Sequence, residues 1–276
     1  MIFFPNAKIN LGLNIINKRP DGYHNIETIF YPLAIKDALE IVPAQNSRGV
    51  FKQVGIPIDV DAQNNLVVRA LELIKEHKKI PEFDVYLHKN IPFGAGLGGG
   101  SADAAFMLKL VNEFAQLSFS DNELETLASQ IGADCPFFIK NMPVFASGIG
   151  NIFTPIELDL SQYHFVLVKP EISVSTPNAY SLVEPSPVEI SLLDIIKKPI
   201  REWGGLMKND FEKSVFLQYP AIAQIKEGLY ILGAKYASMT GSGSSVFAIF
   251  EDKICVDGLF SHCKTLYVEP LANNNG

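Results

Sequence analysis

An α+β fold is predicted for this 276-residue chain by three features. Short alternating segments crowd its first third, amphipathic helix patterns surround a glycine-rich stretch, and strands and helices never settle into strict βαβ alternation. Lys8 to Ile16 alternates polar or small residues with apolar ones, the period of a half-buried strand. Pro20-Asp21-Gly22 supplies turn chemistry, and Ile26 to Leu33 and Ala38 to Val42 continue as short strands. Asn64 or Asn65 suits the N-cap of a helix from about Leu66 to Lys79. Its apolar stripe uses Leu66, Ala70, Leu71 and Ile74, and basic residues gather near its C-terminus. Phe83 to His88 alternates again and leads into IPFGAGLGGGSADAAFMLKLVNEFAQL, a glycine-rich loop opening directly into a helix. A further helix starts at Ser120, where Glu123 completes an S-x-x-E capping box, and ends near Gly132.

The later chain changes character. Asn141 to Pro155 holds turn residues and the string SGIG, His164 to Lys169 is a buried strand, and Pro170 to Pro187 is loop-rich. A helix from about Ala221 to Leu232 stops at Gly233. Strands at Tyr236 to Thr240 and Ser245 to Phe250 flank the tight turn GSGS, and the tail LANNNG frays. A domain boundary is expected at residue 155, giving parts 1–155 and 156–276.

Composition narrows the function classes. Lys and Arg number 23 against 30 Asp and Glu, a formal net charge of −7, which disfavours general nucleic-acid binding. At 47% hydrophobic and 19% charged the chain is globular and not disordered. No apolar run approaches the roughly 18 residues of a spanning helix. The N-terminus carries neither a basic leader nor a small-residue cleavage site, so no signal peptide is expected. Cys135, Cys255 and Cys263 form no CxxC pair and join no zinc spacing, so reduced thiols in a cytoplasmic protein, with no resident metal, are the expectation.

Chemistry concentrates in the glycines. Residues 92–102 read Pro-Phe-Gly-Ala-Gly-Leu-Gly-Gly-Gly-Ser-Ala. Glycines let successive amides turn into one concavity, and the following helix adds unsatisfied N–H groups and about half a positive charge. Such a loop can hold a phosphate chain with few lysines. Gly94-x-Gly96-x-x-Gly99 matches the dinucleotide fingerprint literally, but a helix from Ser120 stands where that fingerprint needs a second strand and an acidic residue. No Gly-Lys-Ser/Thr follows the glycines, which excludes a Walker A loop, and HRD and DFG are absent.

Other candidates stay open on residue type alone. Lys8 is either an edge charge or a site residue. Asp134, in Gly-Ala-Asp-Cys-Pro-Phe-Phe, is either a turn residue or a carboxylate oriented on a hydroxyl through a lysine partner. Tyr23 and His24 suit loop packing, or base stacking and hydrogen bonding. Gly148 and Gly150, and the Thr240-Gly241-Ser242-Gly243-Ser244 string, suit hairpin turns. The residues themselves lead to a phosphate-binding α+β enzyme.

PNAKINLGLNI, PFGAGLGGGSADAA and MTGSGSSVF, in this order, resemble the three motifs of the galactokinase, homoserine kinase, mevalonate kinase and phosphomevalonate kinase superfamily. RPDGYHNIETIF, GLGGGSADAA and IGADCPFF are similar to the branch of that superfamily acting on 4-diphosphocytidyl-2-C-methyl-D-erythritol in non-mevalonate isoprenoid biosynthesis. The resemblance implies a two-domain fold with the active site between domains, residues 1–155 binding ATP and 156–276 lying on the substrate side. It implies ATP-dependent phosphorylation of the substrate's 2-hydroxyl, with Mg²⁺ carried on ATP. The expected partner is this cytidine diphosphate ester, with no nucleic acid and no membrane, and the expected state is a monomer or weak homodimer.

The same resemblance assigns residues. Asp134 and Lys8 are implied to be catalytic. Pro92, Phe93, Gly94, Ala95, Gly96, Leu97, Gly98, Gly99, Gly100, Ser101 and Ala102 form the phosphate loop. Asn65 and Lys89 fall toward the adenosine end of ATP, Asn10 on the substrate side, and Tyr23 and His24 where cytosine is held. Gly241 and Ser242 belong to the third motif, near the diphosphate or methylerythritol end. Two positions depart from the pattern. Asn151 stands where relatives often carry glutamate. Asp103 stands in the expected first turn of the loop helix, where a neutral residue is common; its carboxylate either repels phosphate or favours the helix N-terminus.

Overall fold

The computed structural model describes residues 1–46, 49–57, 64–181 and 183–271, so all of the tail expected to fray except Leu271 lies outside the described residues. In chain order the strands are β1 (Ile2–Phe3), β2 (Asn6–Lys18), β3 (His24–Lys36), β4 (Ala38–Pro43), β5 (Phe51–Gly55), β6 (Phe83–Lys89), β7 (Val144–Ser147), β8 (Ile152–Pro155), β9 (His164–Pro170), β10 (Tyr236–Met239), β11 (Val246–Phe250) and β12 (Cys263–Val268). The α-helices are α1 (Leu66–His77), α2 (Gly99–Phe114), α3 (Asp121–Ile131), α4 (Phe137–Lys140), α5 (Thr176–Ser181), α6 (Leu192–Ile195), α7 (Trp203–Leu206), α8 (Phe211–Gln218) and α9 (Pro220–Ile231). The fold is α+β, as expected.

Two compact units share the chain. One comprises Met1–Ala7, Ile35–Phe93 and Gly98–Asn141; the other comprises Lys8–Ala34, Gly94–Leu97 and Met142–Gly276. This interleaving differs from a single boundary at residue 155. β2 and β3 each pass from one unit to the other within a continuous strand, where composition leaves no mark.

The first unit holds a sheet of order β1-β4-β6-β5, antiparallel except for the β5–β6 pair, together with helices α1 to α4. Strand period 2 builds its core: Phe83, Val85 and Leu87 face inward, and Lys89 continues the same register into the interior. Asn65 caps α1, its side chain accepting from the Val67 N–H, and α1 buries Val67, Ala70, Leu71 and Ile74. Ser120 and Glu123 form the expected capping box at α3. β5 escapes sequence reading because Lys52 and Gln53 interrupt its apolar pattern; parallel pairing to β6 defines it.

The second unit contains two sheets, ordered β2-β3-β7-β8 and β10-β11-β9-β12. Leu13, Ile15, Phe211, Val215, Ile222, Leu229, Val246 and Ala248 belong to one buried apolar cluster there. The expected turns of Asn141 to Pro155 include the antiparallel β7–β8 hairpin, with SGIG across its bend and Asn151 Oδ1 accepting from the Ile149 N–H. The loop-rich Pro170 to Pro187 stretch contains α5, which Pro177 does not break because it lies in the first turn, where no intrahelical N–H bond is lost. Among the described residues no helix is long and apolar enough to cross a membrane, and all three cysteines are free thiols.

Candidate active site

In the second unit, β2 carries Lys8 and Asn10 two residues apart, hence on one face. Both are buried, so Lys8 is no solvent-facing edge charge. Lys8 Nζ donates to Asn10 Oδ1 at 2.7 Å and lies 4.6 Å from the centre of the Phe30 ring. Asn10 Nδ2 donates to Thr28 Oγ1 at 2.9 Å, and that hydroxyl donates to the Gly12 carbonyl at 2.6 Å. A fixed side-chain network thus orients a buried cation.

The tip of the glycine loop docks on the same strand. Lys8 N–H donates to the Leu97 carbonyl at 2.9 Å. Thr240, at the end of β10, donates from Oγ1 to the Gly96 carbonyl at 3.1 Å and accepts from the Asn10 N–H at 3.0 Å. Gly96 has φ +75°, and a Cβ there would stand 2.1 Å from the Thr240 carbonyl oxygen. Gly241 is also left-handed, at φ +55°, and Ser242 Oγ lies 3.2 Å from Thr176 Oγ1. Three segments far apart in sequence, around Lys8, Gly96 and Gly241, therefore meet through backbone contacts that only small residues permit.

A cavity of about 380 Å³ opens in this unit, lined by Lys18, Gly22, His24, Pro177, Tyr180 and Ser181. The His24 and Tyr180 rings stack with centroids 4.7 Å apart at 17°. Burial, aided by the Lys18 charge, lowers the His24 pKa, which favours the neutral imidazole with one donor and one acceptor nitrogen. Tyr23, beside it, is 62% exposed.

In the first unit, Pro92 is buried and Phe93 exposed at the entry to the glycine loop, and α2 begins on its far side. Gly98, at φ 69°, is the N-cap, so no side chain caps the first turn formed by Gly99, Gly100, Ser101 and Ala102. Ala95, in the loop tip that belongs to the second unit, is buried. Lys89, expected near adenosine, is 2% exposed and its ammonium binds two carboxylates, Asp37 and, at 2.6 Å, Asp103. Asp37 Oδ1 also accepts from the amides of Asn90 and Ile91, at 2.6 and 2.8 Å. Asp103 is not in the first turn, since α2 starts at Gly99; its side chain points to Lys89, which answers the departure noted in the sequence. Burial, opposed by Lys89 and reinforced by Asp37, pushes the Asp103 pKa up to about 8. Its Oδ1 has no hydrogen-bond partner. Asn65 spends its Oδ1 on the α1 cap.

Asp134 lies in the turn between α3 and α4 and is partly exposed. Next to it, Cys135 is buried, and burial pushes its thiol up to about 12, so it stays protonated and inert. Among the described residues no group of three or more His, Cys, Asp or Glu is placed to hold a metal ion.

Sequence reasoning missed Thr28, Asp37, Tyr180, Asn209 and the hydroxyl of Thr240. Thr240 adjoins a recognised glycine turn, a usable signal. Asp37 and Asn209 carry none, because their partners lie far off in sequence.

The chain is similar to known proteins along most of its length. The GHMP kinases N terminal domain matches residues 65–141, and the GHMP kinases C terminal matches residues 191–257. A protein of Parabacteroides distasonis named 4-diphosphocytidyl-2-C-methyl-D-erythritol kinase is 58% identical over 265 residues, covering 95% of this chain and 97% of the relative. A Porphyromonas gingivalis protein of the same name is 47% identical, covering 93% and 94%. The crystal structure of a 4-(cytidine 5'-diphospho)-2C-methyl-D-erythritol kinase superposes with a TM-score of 0.81 at 28% identity, covering 98% of this chain and 99% of that one. A mevalonate kinase structure, 16% identical with a TM-score of 0.74, shares the fold. Identity of this extent shows that the chain belongs to the 4-diphosphocytidyl-2-C-methyl-D-erythritol kinases, a family of the GHMP kinases.

Proposed function

We propose that the protein transfers the γ-phosphoryl group of ATP to the 2-hydroxyl of 4-diphosphocytidyl-2-C-methyl-D-erythritol, releasing ADP, in non-mevalonate isoprenoid biosynthesis. The observation that carries this reading is the 58% identity, over nearly the whole of both chains, with a kinase named for that substrate. The geometry supports it. Left-handed glycines at 94, 96 and 98 and the α2 N-terminus, which no side chain caps, offer backbone donors to a triphosphate. Residues Pro92 to Ala102 form that cradle. Mg²⁺ enters with ATP as part of the substrate and offsets phosphate charge.

Asp134 accepts the proton of the 2-hydroxyl or orients it, and the buried Lys8 ammonium lends positive charge to the reacting groups while Asn10 keeps it aimed. Gly241 and Ser242 serve the diphosphate or methylerythritol end. Tyr23 and His24, joined by Tyr180, take the cytosine: aromatic faces stack on the ring, and a neutral imidazole matches its edge. Asn65 and Lys89 act on the adenosine side through structure, Asn65 by capping α1 and Lys89 through its ion pairs with Asp37 and Asp103. Residues before 155 supply most of the ATP side, and 156–276 add Tyr180, Gly241 and Ser242 to the substrate side. The enzyme works in the cytoplasm, as a monomer or weak homodimer.

Tyr23→Ala tests the substrate assignment. Losing one stacking face raises KM for the cytidine substrate about tenfold and leaves KM for ATP within about twofold. Equal changes in both KM values would contradict cytosine stacking at Tyr23.

A further inference from the structure

We infer that the Thr240 hydroxyl, held in place by Asn209, is a positioning group that locks the Lys8–Asn10 pair to the tip of the glycine loop. The inference deepens the kinase reading above and rests on it for the meaning of Lys8. Thr240 has no solvent-exposed surface, and its hydroxyl uses its one proton and one lone pair on two different motifs. It donates to the Gly96 carbonyl at 3.1 Å and accepts from the Asn10 N–H at 3.0 Å. Asn10 in turn accepts from Lys8 Nζ at 2.7 Å. One buried hydroxyl therefore stands between a phosphate-cradling backbone and the residue that aims the cation.

Thr240 is itself clamped. Asn209 is 1% exposed, and its Nδ2 donates at 2.8 Å to the carbonyls on both sides of Thr240, those of Met239 and Gly241. Asn209 Oδ1 accepts from the Phe211 N–H at 3.0 Å, which fixes the orientation of the amide. The segment holding Asn209 is tied to the strand bearing Lys8 and Asn10: Leu13 N–H donates to the Lys208 carbonyl and Asp210 N–H to the Leu13 carbonyl, both at 2.9 Å. β2, Asn209 and Thr240 thus close a ring of hydrogen bonds that returns to β2 at Asn10. Such a ring has no slack, so displacing the Thr240 hydroxyl displaces both Lys8 and Gly96.

Thr240→Val keeps the side-chain shape and removes the hydroxyl; Thr240→Ser keeps the hydroxyl and removes a methyl. Thr240→Val is expected to lower kcat about 10- to 100-fold, with both KM values within about threefold, as misplacement of reacting groups does. Thr240→Ser is expected to retain kcat within about threefold. Amide hydrogen exchange of residues 94–98 is measured on the same proteins without substrate. It should accelerate about tenfold or more in the valine variant and not in the serine variant, reporting local opening independent of turnover. Should Thr240→Val fail to fold, Asn209→Ser replaces it in both measurements, with smaller changes of the same direction.

Equal behaviour of the valine and serine variants, or unchanged exchange in the loop with kcat within twofold of the parent, would overturn the proposal. If the parent enzyme does not turn over the cytidine substrate, the functional reading fails, and the exchange comparison still decides the positioning role.

Discussion

Asp134→Asn is expected to lower kcat by about 10²- to 10⁴-fold while leaving a folded protein. Asparagine preserves the size of the side chain and one carbonyl oxygen, so the α3–α4 turn keeps its shape. It removes the negative charge and with it the capacity to take a proton. A base or orienting carboxylate that acts on a hydroxyl late in proton transfer contributes to the transition state more than to binding, so KM for either substrate should change little. The measurement is steady-state ADP release alongside circular dichroism. Near-parental turnover from a folded variant would remove Asp134 from the reaction.

Gly96→Ala is the second change with a large expected effect. At φ +75° an alanine meets the left-handed penalty, about 1–2 kcal/mol. The larger obstacle is the Thr240 carbonyl oxygen, 2.1 Å from the added Cβ, with its carbonyl carbon at 2.9 Å. Neither belongs to a flexible side chain, so the loop tip must leave Thr240 and break the bond from its hydroxyl to the Gly96 carbonyl. A fall in kcat of about 100-fold or more is expected, with a lower Tm. Gly94→Ala is the control: its φ is +61°, yet its nearest neighbour is Ser173 Oγ at an ordinary 3.5 Å. It should incur the backbone penalty alone. Matching effects from the two substitutions would mean that close approach to Thr240 is not what Gly96 provides.

Local chemistry made much of this molecule legible. The S-x-x-E box at Ser120, the Asn65 cap and the alternation of Phe83, Val85 and Leu87 each depend on residues a few positions apart. The glycine loop was legible for the same reason. Lys89 shows where such reading stops short: the alternation itself turns it inward, but its partners Asp37 and Asp103 reach it from other elements. Thr240 is similar, because its contacts to Asn10 and Gly96 reach 230 and 144 residues back along the chain. Tyr180 sits in a proline-rich stretch whose short helix has too few residues for periodicity to declare itself.

The net charge of −7 takes on meaning against these particulars. ATP and a cytidine diphosphate ester are both polyanions, and the whole-protein field gives them no long-range attraction. Recognition therefore has to be local. On the proposed reading, that local attraction comes from backbone amides at left-handed glycines, a glycine-capped helix start and the buried Lys8 ammonium.

Kinase activity specific for 4-diphosphocytidyl-2-C-methyl-D-erythritol is expected of this chain. ATP-dependent ADP release, measured with that substrate and separately with galactose, homoserine and mevalonate, tests it most directly. Turnover with the cytidine diphosphate ester and none above background with the three other alcohols is the predicted result. Absence of turnover with the ester, or equal turnover with any of the other three, would contradict it.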